Sequence, residues 1–314
     1  MPYTENRNNS AGLSRRQMLL AGLACAAPAW GANRIDRSRF SAITDEIAKS
    51  PAAAIEFAHK YGLQWLELRS VPGTKTEYFQ LPEADLRQAA KEFHEGGVKI
   101  SFLNTSLLKY PMPGTESPTP GRRWDASRFE KREDELKRSI AAAHILGVDK
   151  VRIFTFLRCL DREKFMPRVA EVINQYAELA AKDKIQLLIE NEGACNVGTA
   201  AELAELMPSL PSRWVGINWD PLNAANKKEI AFPDGYKLLP AKRIHNVQIK
   251  GKSILPGPDL MDWTAIFRQL EKDGYRGQLG LETHIFGEIQ VQKSHESIQE
   301  MLRLVGAPYA FPHA

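Results

Sequence analysis

From Phe40 onward the chain alternates two hydrophobic rhythms. Short apolar or β-branched runs, bounded by polar, Gly or Pro residues, predict strands. They fall at 40–47, 63–69, 98–105, 150–156, 185–192, 215–221, 244–250 and 278–284. Longer runs with helical spacing lie between them. Ser50-Pro51 opens one, as cap and first-turn proline, and Gly62 closes it. Others run over 81–94, 125–145, 161–181, 199–207, 262–272 and 294–304, most of them ending at a glycine. After the sixth strand the helix is thin, and 227–240 reads as loop with at most a short helix.

Eight such units in about 270 residues fit an α/β fold, a (β/α)8 TIM barrel forming a single domain over 38–308. The rival is a doubly wound open sheet. No GxGxxG follows the first strand, which removes the commonest reason to choose it. The longest irregular stretch, 107–124, follows the third strand, where a barrel keeps functional loops.

Residues at the C-terminal ends of barrel strands face the active site. Side chains alternate across a strand, so the apolar set should face the helices and the polar set the lumen. On strand six, Val215, Ile217 and Trp219 face out, which sends Asp220 inward. On strand seven, Val247 and Ile249 face out with His245, and Asn246, Gln248 and Lys250 face in. Strand eight turns Glu282 and His284 inward, and strand five Glu190 and Glu192. Strand two adds Glu67 and Arg69, both expected to bind substrate along with Glu192; strand one adds Asp45 or Glu46, with ambiguous parity.

Glu190, Asp220, Gln248 and Glu282 are thus expected on one rim. Converging carboxylates repel unless a cation or protons compensate. An all-oxygen set of this kind suits a hard ion, Mn²⁺ or Mg²⁺. A dry ion network with Arg152, Lys250 or Arg158 is the other arrangement that satisfies them. Trp65, Trp124 and Trp219 are candidates for stacking on a ring, with Trp219 expected to pack outward.

The segments 187–191, 215–223, 244–250 and 280–282 resemble the sugar phosphate isomerase/epimerase family, the xylose isomerase-like TIM barrels. The resemblance spans about 40–306. It implies metal ligands at Glu190, Asp220 and Glu282, with Asn223 beside the substrate. Where the family motif carries a His ligand, this chain has Gln248, a neutral and weaker ligand for transition metals. The resemblance further implies proton transfer beside a carbonyl of a sugar or keto-sugar. Glu190 and Glu282 would be the acid–base pair; Lys250 and His284 would stabilise the enediolate oxygen or relay protons. For Lys250 a salt bridge to a rim carboxylate, and for His284 a wall position, are the structural alternatives. A keto-sugar or inositol-type dehydratase, or a non-catalytic sugar-binding barrel, would use the same rim. Phosphodiester cleavage would need a rim richer in His than this one.

The N-terminus adds an address. Ser14-Arg15-Arg16 precedes a short apolar stretch ending near Ala32, the pattern of a twin-arginine export signal over 1–32. That predicts a periplasmic protein with no stable membrane span once the signal is removed. A net charge of +4 over 314 residues, with no Lys/Arg run that marks a nucleic-acid patch and pairs such as Arg122-Arg123 and Lys227-Lys228 read as solvated surface, argues against nucleic acid as a partner. The expected partner is a small sugar, and a homo-oligomer is compatible with the sequence. Cys25, Cys159 and Cys195 form no CxxC pair, which argues against a zinc ribbon.

Overall fold

A computed structural model describes residues 34–121 and 124–307. The expected export signal, Cys25 and Arg122-Arg123 lie outside those residues. The strands are β1 (Phe40–Ala42), β2 (Trp65–Leu68), β3 (Lys99–Leu107), β4 (Lys150–Ile153), β5 (Gln186–Glu190), β6 (Val215–Trp219), β7 (Ile244–Lys250) and β8 (Gln278–Glu282). They form one sheet in the order β1-β8-β7-β6-β5-β4-β3-β2, every pair parallel. A parallel bridge between Ile43 and Glu67 brings β1 against β2, so the sheet nearly closes on itself. The architecture is the (β/α)8 barrel.

The outer layer is α1 (Pro51–Tyr61), α2 (Glu83–Glu95), α3 (Arg132–Leu146), α4 (Arg162–Lys182), α5 (Ala200–Leu206), α6 (Pro221–Asn226), α7 (Trp263–Lys272) and α8 (Gln290–Leu304). Their ends follow local chemistry. Ser50 Oγ accepts from the Ala53 N–H at 3.2 Å, and Gly62 takes the left-handed conformation that stops α1. Thr199 and Asp262 cap α5 and α7 in the same way.

The apolar core lies between strands and helices. Leu187, Ile189, Ile217, Val247, Ile249, Leu279 and Leu281 are all buried there. Trp219 packs outward as expected, with its ring 5.1 Å from that of Tyr236. The lumen is polar instead. Ser41, Glu67, Asn104, Arg152, Glu190, Asn218, Asn246, Gln248, Lys250 and Glu282 are all buried.

Two strand expectations need correction. The first strand ends at Ala42, and Thr44–Ile47 is a helical turn, so Asp45 and Glu46 reach the rim from that turn. On β7, Ile244 pairs with Ile217, but Asn246 pairs with Asn218, so His245 is an extra residue in the ladder. Such a bulge breaks strict alternation. His245 does not face out with the apolar set. A Cβ on lumen-facing Gly216 would meet His245 Cδ2 at 2.5 Å. The imidazole lines a cleft of about 280 Å³ with Lys150, Tyr275 and Gln278, at the end of the barrel where β4 and β8 begin.

Cys159 and Cys195 are buried free thiols. Lys227 and Lys228 are exposed, as a solvated surface pair should be. Among the described residues no helix is long and apolar enough to cross a membrane.

Candidate functional site

Glu190 ends β5, Asp220 directly follows β6, and Lys250 and Glu282 end β7 and β8. Neighbouring strands therefore deliver these side chains to one end of the lumen. One carboxylate oxygen from each of Glu190, Asp220 and Glu282 lies within 4.8 Å of the others. All three residues are buried.

Three cations accompany them. Lys250 Nζ lies 2.7 Å from Glu282 Oε2 and 3.0 Å from Asp220 Oδ2. Arg152 donates to Glu190 Oε2 at 2.9 Å. Arg69 binds Glu282 Oε1 at 2.9 Å, and Asp45 and Glu46 at 2.8 Å each. Arg158 belongs elsewhere, on Glu202 at 2.6 Å. The ion network foreseen as an alternative is thus formed through Arg152 and Lys250, with Arg69 as a third member that sequence reasoning placed on the substrate.

The electrostatics separate the acids. Burial alone would raise the Glu282 carboxyl, but Lys250, His284, Arg69 and Arg152 outweigh it and hold Glu282 well below the usual carboxylate range. For Asp220, burial dominates; Lys250 opposes it, while Glu190 and Glu282 add repulsion. The result is pushed up to about 7. Two acids facing one ammonium are therefore unequal.

Gln248, on β7, donates through its amide Nε2 to Glu67 Oε2 at 2.8 Å. Glu67, expected at the substrate, is fully buried in the lumen beneath that amide. It accepts three further bonds, from Ser41 Oγ at 2.8 Å, Asn104 Nδ2 at 2.9 Å and Asn246 Nδ2 at 3.4 Å. Burial raises its pKa against those donors. Asn246 and Asn218 continue the chain: Asn246 Nδ2 donates to Asn218 Oδ1 at 3.0 Å, and Asn218 Nδ2 to Glu190 Oε2 at 2.9 Å.

The remaining expected residues frame the rim. Glu192 pairs with Lys109 at 2.8 Å. Asn223 donates through Nδ2 to the Asn191 carbonyl at 2.9 Å and sits 3.5 Å from Glu190 Oε1. His284 is half-exposed, 3.4 Å from Glu282 Oε1, with its ring edge against Phe286. Its φ of 49° is left-handed and held by a 2.7 Å bond from its N–H to Glu46 Oε2. Such strain in a non-glycine residue gathers at functional sites. Trp65 begins β2, at the far end of the lumen, and Trp124 donates to Thr115 in the loop after β3. Asn104 and Asn218 escaped sequence reasoning as site residues, although their inward parity on β3 and β6 was the available signal.

The donor set suits a divalent ion. Asp220 Oδ2 and Gln248 Oε1 are buried oxygens that receive no hydrogen bond; Lys250 approaches Asp220 without hydrogen-bond alignment. Trp219 pairs with Val247, which sets Asp220 beside Gln248 in the next position. Orphaned buried acceptors demand a partner, and hard cations take oxygen ligands. A second group, Glu46, Glu282 and His284, also converges within 4.8 Å, but Arg69 already bridges both of its carboxylates.

No curated protein sequence matches the chain. Solved structures do. The apo form of 3-keto-D-glucoside 4-epimerase YcjR from E. coli aligns with a TM-score of 0.64 at 14% identity, covering 85% of this chain and 98% of that one. The IOLI protein with a binding zinc atom aligns at 0.65 and 16% identity, covering 87% and 99%. D-allulose 3-epimerase from Methylomonas sp. in complex with D-allulose aligns at 0.62 and 17%, covering 87% and 96%. At these identities the likeness establishes the fold. The profile of the family described as xylose isomerase-like TIM barrel matches residues 55–305, and the chain belongs to that family.

Proposed function

We propose that the protein is a metal-dependent sugar isomerase or epimerase that moves a proton at a carbon next to a carbonyl. One observation carries this reading: three buried carboxylates from β5, β6 and β8 bring oxygens within 4.8 Å of one another at the strand ends. The relatives described as a 3-keto-glucoside epimerase and an allulose epimerase support it.

Glu190, Asp220, Gln248 and Glu282 would hold the ion, with Mn²⁺ or Mg²⁺ favoured by the all-oxygen set. A bound divalent ion supplies charge that holds the substrate oxygens and polarises the carbonyl. Glu282, at the end of β8 and within the acid cluster, is assigned as the group that accepts a proton from carbon. Glu190, from a strand across the same rim, is the partner that returns one. Lys250, with its ammonium on Glu282 and Asp220, is placed to neutralise an enediolate oxygen. Arg69, Glu192, Asn223 and His284 border the space a sugar would enter. The test is solvent exchange. Protein loaded with Mn²⁺ is incubated with keto-sugars in D₂O, and deuterium at the carbon beside the carbonyl is read by NMR. Absence of exchange together with absence of a stoichiometric ion would sink the proposal.

The ion pairs favour a second reading, a sugar-binding barrel that needs no metal, because Lys250 and Arg152 already neutralise part of the acid cluster. Metal analysis separates the two. We also propose export by the twin-arginine route; replacing Arg15 and Arg16 should leave the protein in the cytoplasm.

A further inference from the structure

We propose that Glu67 is a positioning residue that turns Gln248 into a metal ligand. This rests on the functional reading above and extends it to a residue that touches neither ion nor substrate.

The argument starts from the amide. A glutamine side chain presents a donor or an acceptor in a given direction, depending on how its amide is turned. A lone Gln248 would have no reason to offer its oxygen to the acid cluster. Glu67 supplies the reason. Its carboxyl lies beneath Gln248 and accepts from Nε2 at 2.8 Å. Its remaining capacity is filled by Ser41, Asn104 and Asn246, each presenting an O–H or N–H. Oε2 of Glu67 takes N–H donors from both Gln248 and Asn104, so Nε2 faces down and Oε1 faces away. That oxygen is buried and receives no hydrogen bond, in a strand position beside Asp220, whose Oδ2 is likewise orphaned. The barrel wall is shaped around Glu67 where it lies. A Cβ on Gly280, across β8, would fall 1.9 Å from Glu67 Oε1, so glycine at that point makes room for the carboxyl. Partners behind a ligand fix its orientation and raise its strength as a donor, and losing one costs about 10- to 100-fold in metal affinity.

The experiment is a double-mutant cycle read by calorimetric titration with Mn²⁺, after removal of endogenous metal. Glu67→Gln should weaken Mn²⁺ binding by about 10- to 100-fold. Gln248→Ala should weaken it at least as much. The double variant should bind no more weakly than Gln248→Ala, because Glu67 acts only through the amide it orients. Circular dichroism of each variant reports whether the barrel has folded. Glu67→Asp, which keeps two acceptor oxygens where Gln puts an NH2 donor in place of one, serves as the conservative rescue. It also supplies the comparison should Glu67→Gln fail to fold. Additive losses, or unchanged affinity in folded Glu67→Gln, overturn this inference and leave the metal site standing. Wild-type protein that binds no divalent ion overturns both.

Discussion

Lys250 and Glu282 face each other across adjacent strands, with the ammonium 2.7 Å from a carboxylate oxygen. Both are buried, and the same ammonium lies 3.0 Å from Asp220. Removing one partner of a buried pair costs about 3–5 kcal/mol, because the other charge is left unpaired. Lys250→Met should therefore destabilise the metal-free protein by about that much. A divalent ion would restore part of the loss by taking over the charge. Urea unfolding with chelator and with Mn²⁺ checks this. An equal deficit in both conditions contradicts the idea that ammonium and metal neutralise the same carboxylates.

Glu282→Gln preserves shape and removes the charge. If Glu282 accepts the substrate proton, turnover should fall by about 100- to 10,000-fold. Far-ultraviolet circular dichroism should stay unchanged. Full activity in the variant would assign the base elsewhere on the rim.

The two acids around Lys250 should titrate stability in opposite directions. Asp220 is raised to about 7 in the folded, metal-free protein. Its contribution is fully present below its unfolded value of about 3.9. It is lost as pH rises through about 7. Glu282 is depressed, so its contribution is present above its unfolded value of about 4.3 and lost only as pH falls well below it. Thermal unfolding in chelator from pH 5 to 8 should show a declining trend that Asp220→Asn flattens. Mn²⁺ affinity should climb over the same interval, since ligands bind deprotonated.

Gly280→Ala tests the interior. Its Cβ would overlap Glu67 Oε1 at 1.9 Å, with the remaining carboxyl atoms at 2.6 and 2.9 Å. Overpacking costs about 1–3 kcal/mol, and this contact belongs at the upper end. Denaturant midpoints of wild type and variant measure it. A neutral substitution would mean that Glu67 can move without disturbing its four donors.

Alternation along the strands carried most of the site. Two-residue periodicity sent Asp220, Gln248, Lys250 and Glu282 to the lumen, where they are buried. The same reasoning failed at His245, because one extra residue in a ladder is invisible until the partner strand is known. At Glu67 it gave the inward direction and no more. Parity gives direction but not depth, and this carboxyl stops beneath the rim, under Gln248. Pairing was harder still. Which arginine meets which acid depends on the tilt of the barrel, so the ties of Arg69 to Asp45, Glu46 and Glu282 could not be read from the strands alone.

Asp220 does two jobs with two oxygens. Oδ1 accepts the Asn223 N–H at 2.9 Å and starts α6, while Oδ2 faces Lys250 at 3.0 Å. A lineage that abandoned the chemistry could not discard this aspartate cheaply, since the helix would lose its first anchor. Its persistence in a descendant would therefore be poor testimony that the descendant still turns over a sugar.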